Sequence, residues 1–213
     1  MKTDHKTNIM KERILEAAID LFFKAGFVKA SIRDIAQKVG IAKSSVYEHF
    51  KSKDDILYQI ITDLNAFIMR ELKQLAGRHD SPLESLRAMI FWQVCVTTEK
   101  RKEVKIYIEE QYQLPPGLRK KALKGHRQVY KLYYNKISEI PQELLPDMNR
   151  IAMTFANFGM INWVYRWFKE DGEMTIEEVA DVIIRIFFNG ILKNAYWDDN
   201  KGKISESWRK ILQ

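Results

Sequence analysis

A chain of 213 residues that is 46% hydrophobic and 30% charged can bury a substantial core and is too charged to live in a bilayer. Nine glycines and five prolines are too few to punctuate a sheet protein, which leaves long helices. The net charge of +7 favours a polyanionic partner, and the single cysteine, Cys95, excludes an internal disulfide and a cysteine-built zinc cage and fits a reducing cytoplasm.

The first element spans about residues 8 to 25, where Ile14, Ala18, Leu21, Phe22 and Ala25 repeat at helical spacing. It is charged throughout and carries no signal-peptide pattern. Gly26 follows where a left-handed C-cap belongs, and Ser31 stands as N-cap before "IRDIAQKV". Gly40 breaks that helix, a second short one follows at about 42 to 50, and Ser52 opens a long one that keeps its apolar period to Gly77. Further helices are expected at about 82–99, 101–113, 117–139, 146–169 and 175–195, with one short helix in the polar tail. "IAMTFANFGMINWVYRWF", residues 151–168, is almost long enough to span a membrane, but Asn157, Asn162 and Arg166 interrupt it and a protein-buried helix explains it better. No segment reads as a strand.

The stretch "IRDIAQKVGIAKSSVYEHFKSKDDIL", residues 32–57, has the spacing of a helix-turn-helix. Two short helices that cross steeply need a small residue at the crossing, which Ala36 supplies, and a positive φ at the turn, which Gly40 supplies. Ile32, Ile35, Val39, Ile41, Val46 and Phe50 hold the pair together. The outward face of the second helix is then Lys43, Ser44, Tyr47 and Glu48, flanked by Ser45 and His49. These groups suit a helix lying in a major groove about 12 Å wide. Arg33, on the first helix, is a further candidate contact.

"ILEAAIDLFFKAGFVKASIRDIAQKVGIAKSSVYEHFKSKDDIL" resembles the N-terminal DNA-binding domain of the TetR family of bacterial transcriptional regulators. Tyr47-x-x-Phe50 followed by Lys53-Asp54-x-Leu/Ile, together with Gly26, Ser31, Ala36 and Gly40, carries the resemblance. It implies an all-helical fold with a three-helix DNA-binding head, about residues 1–52, and a helical ligand-binding and dimerising body, residues 53–213, linked through helix 53–77. It also implies that Ser31 and Lys53 meet phosphate, that Lys43, Ser44 and Ser45 begin the recognition helix, and that Tyr47 and His49 touch phosphate or a thymine methyl. Two residues depart from the family pattern. Ala42 replaces a hydroxyl cap, and Glu48 brings an anion toward DNA.

Catalysis finds no support: the four histidines have no ligand spacing, Cys95 has no neighbouring base, and no phosphate-binding glycine loop exists. No metal or cofactor is expected. In the body, Phe91, Trp92, Tyr107, Tyr112, Tyr130, Tyr133, Tyr134, Phe155, Phe158 and Trp163 are either plain core or the lining of an apolar effector pocket. Lys120, Lys124, Arg127 and Lys131 recur along one helix, as a solvated face or a docking edge for an anionic headgroup. "EEQYQLPPGLRKK", "WVYRWFKEDG" and "FFNGI" are similar to TetR regulators that sense fatty acyl-CoA. The last two long helices are apolar on more than one face, so a homodimer is expected through Gly159, Ile183, Phe187, Gly190 and Ile191. The expected function is a ligand-released repressor on an inverted-repeat DNA operator. The rival reading is a helical lipid- or anion-binding module without operator specificity.

Overall fold

The computed structural model describes residues 2–145 and 147–191. Among them there is no strand, and the helices are α1 (Lys2–Ala25), α2 (Ile32–Val39), α3 (Lys43–Tyr47), α4 (Lys53–Ala76), α5 (Pro82–Glu99), α6 (Arg101–Glu110), α7 (Pro116–Ser138), α8 (Arg150–Trp167) and α9 (Ile176–Ile191). The expected short helix in the tail, and the last helix beyond Ile191, lie outside the described residues. No described helix is long and apolar enough to cross a membrane.

Local chemistry explains most helix ends. Gly26 takes φ 80° and its N–H donates to Phe22 O at 2.9 Å, closing α1. Asn149 caps α8 by accepting from the N–H groups of Ile151 and Ala152, so that helix starts at Arg150 rather than near 146. Thr175 and Glu178 form a reciprocal capping box at the start of α9. The expected helix at 101–113 ends at Glu110 and tightens into a 3₁₀ turn over Gln111–Gln113.

The described residues divide into two compact units, 2–67 with 100–126, and 68–99 with 127–145 and 147–191. The first is larger than the head expected at residues 1–52, for a physical reason. Its core joins Ile14, Phe22, Ile35, Val46 and Phe50 to Ile56, Leu57, Ile60 and Ile61 of α4, and to Ile106, Leu114 and Ala122 from the later segment. Three short helices alone would leave those α4 side chains in water. In the second unit α5 is buried on nearly every side and packs on α8 and α9, which also touch each other.

Polar ties hold α6 to α1 within the first unit. Asp20 of α1 receives both Lys38 of α2 and Lys102 of α6, and Lys105 donates to Phe23 O. The hydrogen bond from Lys102, then that from Lys38, pulls the Asp20 carboxyl down to about 2. A carboxyl depressed by folding stabilises the fold above its unfolded value, about 4, and that contribution fades as pH falls toward 2. Asp20→Asn is therefore expected to lower the melting temperature at pH 7 while leaving it close to wild type near pH 2, as measured by circular dichroism melts across pH.

Candidate nucleic-acid interface

α2 begins with a complete capping box. The Asp34 N–H donates to Ser31 Oγ at 3.2 Å, the Ser31 N–H donates to Asp34 Oδ2 at 2.9 Å, and the Ser31 hydroxyl donates to the same oxygen at 2.7 Å. These bonds hold the Asp34 carboxyl below the usual range, the Ser31 hydroxyl contributing most. α2 ends at Gly40, with φ 77° and ψ 37°, whose N–H reaches Ala36 O and Gln37 O. The N–H of Ile41 also turns back to Ala36 O, and Arg13 Nη2 donates to Val39 O at 2.9 Å. Ala36 is 3% exposed, as a close crossing requires.

α3 is shorter than the helix expected at 42–50. Ala42, its N-cap, offers no side-chain hydrogen bond, and Glu48 already closes the far end with its N–H on Ser44 O. Val46 and Phe50 anchor it in the core, at 0% and 2% exposed. Lys43, Ser44 and Tyr47 face solvent together, with Lys43 Nζ 5.7 Å from the centre of the Tyr47 ring. Glu48 is exposed beside them, Ser45 and His49 are half-buried, and Ser31 and Arg33 are exposed on the α2 side. The result is an exposed basic and aromatic ridge with no carboxylate paired to Lys43 among the described residues. It can offer hydrogen-bond donors and a ring face to a groove.

Lys53 stands apart from this ridge. Its ammonium donates to Phe27 O and Ala30 O, both at 2.8 Å, and to Val28 O at 3.3 Å, and it sits 4.3 Å from the centre of the Phe27 ring. An ammonium has three donors, and all are occupied by carbonyls of the α1–α2 loop. In the structure Lys53 ties the start of α4 to the α1–α2 loop.

The effector candidates fall into both units. Tyr107 is in the first, edge-on to His126 at 5.9 Å, and burial pushes its phenol up and the His126 imidazole down. Tyr112 and Lys124, in the same unit, are exposed. In the second unit Phe91 and Phe158 are buried, Trp92 is half-buried, and Tyr130 stacks on Tyr134 at 6.1 Å and lies 5.0 Å from Phe155. Trp163 is exposed, with the Arg166 guanidinium 5.1 Å from its ring, and Lys120, Arg127 and Lys131 point to solvent.

Three buried polar side chains stand out in the second unit: Tyr133, which the sequence placed among the aromatic candidates, Asn157, which it marked only as an interruption of an apolar run, and Gln93, which it did not single out. Tyr133 and Asn157 are fully buried and Gln93 is 6% exposed. The Tyr133 hydroxyl, both amide atoms of Asn157 and the Gln93 oxygen have no hydrogen-bond partner among the described residues. The Tyr133 ring packs edge-on against Phe158 at 5.1 Å. The signal available earlier was a polar residue on an otherwise apolar helical face. Of the expected dimer residues, Gly159 and Gly190 are exposed, Ile183 and Phe187 are 7% and 3% exposed inside the unit's own core, and the side chain of Ile191 lies outside the described residues. The exposed apolar positions of α9 are instead Val182 and Ile186.

A capped helix pair with a basic outward ridge, followed by a helical body, defines a helix-turn-helix regulator. Residues 14–60 match the family described as "Bacterial regulatory proteins, tetR family", and residues 79–191 match "Tetracyclin repressor-like, C-terminal domain". The chain belongs to the TetR family and is a DNA-binding transcriptional regulator. It is similar to the HTH-type transcriptional repressor KstR2 of Mycolicibacterium smegmatis, 23% identical over 86% of this chain and 91% of that protein. The structure of AibR in complex with isovaleryl coenzyme A and operator DNA is 26% identical, with TM-score 0.78 over 84% of this chain and 97% of that one. The Mycobacterium tuberculosis ketosteroid regulator KstR2 shares the fold, at 22% identity and TM-score 0.78 over 87% and 96% of the two chains.

Proposed function

We propose that this regulator is a cytoplasmic repressor, acting by binding alone, that sits as a homodimer on an inverted-repeat operator and leaves it when a small, largely apolar ligand binds the helical core of its second unit. The observation that carries the operator reading is the Lys43–Ser44–Tyr47 ridge on a helix pair anchored at both ends of α2. The ligand reading is supported by the unpartnered polar atoms of Gln93, Tyr133 and Asn157 among buried rings. Such atoms cost folding energy and are kept where something else completes them. The AibR complex supports an acyl-CoA as first candidate.

A two-fold dimer reads half-sites about one helical turn, roughly 34 Å, apart. Tyr47→Ala is expected to weaken binding to every duplex tested. Lys43→Ala or Ser44→Ala is expected to change which half-site is preferred, by about 1–3 kcal/mol at the affected base pair. Fluorescence anisotropy on a panel of single-substitution operators separates the two behaviours. Loss of none of these contacts on any duplex would remove α3 as the reading helix. The ligand class is tested by titrating the operator complex with isovaleryl-CoA, longer acyl-CoAs, free fatty acids and neutral polycyclic ketones. Release by thioesters is the expected result, and release by neutral compounds alone overturns the acyl-CoA assignment.

A further inference from the structure

The loop between α1 and α2 is gripped from two directions by ionic side chains. The Phe27 N–H donates to Glu110 Oε1 at 3.0 Å, and Glu110 is the last residue of α6. The carbonyl of the same residue, Phe27, accepts from Lys53 Nζ, which also binds Val28 O and Ala30 O. Hydrogen bonds to ionised groups are roughly twice as strong as neutral ones, so the Phe27 backbone is held by an anion on one side and a cation on the other. The fit is close: Gly26 is in the left-handed region, and a Cβ there would lie 3.3 Å from Glu110 Oε1. The Phe27 ring adds a second anchor, edge-on to Phe22 at 5.2 Å. One residue beyond Ala30 is Ser31, the N-cap of α2, and α2 packs on α3.

We infer that Glu110 and Lys53 are positioning residues for DNA binding: together they clamp the α1–α2 loop and so set how α2 and α3 are presented to the groove. The inference rests on the operator-binding reading above. Lys53 acts through the loop, where all three of its donors lie on carbonyls. Glu110 belongs to α6, which follows α5 with only Lys100 between them. A shift of α6 would therefore pull on the Phe27 N–H directly, within the unit that carries α2 and α3.

Electrostatics gives this proposal a test with a definite sign. Removing a carboxylate from a protein that binds a polyanion strengthens binding if long-range attraction is all that matters. The clamp demands the opposite. An operator is first selected from random duplexes by the full-length wild-type protein, and affinity is measured over a salt series for Glu110→Ala, Glu110→Gln and Lys53→Met. Glu110→Ala and Lys53→Met are each expected to weaken binding about tenfold, the loss that roughly 1.4 kcal/mol produces. The slope of log affinity against log salt should stay at the wild-type value. Glu110→Gln keeps an acceptor oxygen for the Phe27 N–H and should lose less. Hydrogen exchange at the Phe27 amide should accelerate in Glu110→Ala. Unchanged or tighter binding by Glu110→Ala overturns the clamp, and a slope flattened by about 0.9 in Lys53→Met restores the phosphate contact. If the wild-type protein selects no operator, the operator reading fails by itself. The exchange measurement still decides the clamp, since equal protection of Phe27 in wild type and Glu110→Ala refutes it.

Discussion

Ile186→Glu is expected to convert the protein from a dimer to a monomer at micromolar concentration and to weaken operator binding by about 10²- to 10⁴-fold, the usual gain from joining two binding modules. In the second unit, α8 exposes Ile151, Phe155, Trp163 and Trp167 at intervals of four, eight and four residues, each about half in water, and α9 exposes Val182 and Ile186. That much aligned apolar surface on a charged protein marks a contact face. Gly159 lies in the middle of the α8 stripe, and Gly190 continues the α9 stripe one turn past Ile186. A Cβ added at either glycine would meet nothing within 4 Å among the described residues. Neither glycine is needed by packing among the described residues, and both permit a partner's helices to approach. Gly159→Leu separates folding from assembly. It replaces a poor helix former with a good one, worth about 1 kcal/mol in an exposed helix, so the monomer should be no less stable while the dimer weakens. Sedimentation velocity with thermal melts checks both halves. A wild-type monomer at micromolar concentration would remove the face from consideration.

The parts of this structure legible in the sequence are those governed by neighbours along the chain. Gly26 and Gly40 adopt positive φ where a helix had to end, Ser31 caps where a hydroxyl preceded an apolar period, and Ala36 is small where two helices cross. The exposure of Lys43, Ser44 and Tyr47 follows from the same local period. The unit boundary was not legible, because α4 keeps one unbroken apolar pattern while Ile60 and Ile61 serve one core and Leu72 and Leu75 serve the other. Lys53 could be placed at a helix start, yet where its ammonium goes depends on three carbonyls more than twenty residues away. Glu110 was invisible for the same reason, since its partner is 83 residues distant and a glutamate at a helix end is unremarkable in a sequence. Ile183 and Phe187 looked equivalent to Val182 and Ile186 in an all-round apolar helix, and only packing against α5 decides which face is spent on the core. Cys95 shows the converse. Burial, followed by the charge of Glu177, raises its thiol to about 12, which keeps it protonated and inert, as a lone cysteine on a helix suggests.

Tyr133→Phe and Asn157→Leu are expected to make the protein more stable and less responsive. Each of these buried polar groups gave up water on folding and gained no partner among the described residues. Leaving a buried donor or acceptor unmade costs about 1–3 kcal/mol. Tyr133→Phe deletes one oxygen and leaves the ring in its contact with Phe158, so the cost disappears with little change in packing. In a chain of this size 1 kcal/mol corresponds to a shift of about 2–4 °C in melting temperature. A stabilising change of this kind usually costs function where the strained group serves a ligand. The same atoms argue for the character of the ligand: a hydroxyl, a carboxamide and an amide oxygen, none of them charged, match a neutral carbonyl or hydroxyl on an otherwise apolar body. A thioester carbonyl fits that description, and a free carboxylate fits it poorly. The operator affinity of the unliganded variants should stay at the wild-type value, because these residues lie outside the unit that carries α2 and α3. The ligand concentration needed for half-release should rise about tenfold or more for each group removed, as one hydrogen bond of roughly 1.4 kcal/mol is lost. Melting curves and operator-release titrations on the same protein preparations read both effects. Higher stability with an unchanged release curve would show these groups to be plain packing defects and move the effector site elsewhere in the body.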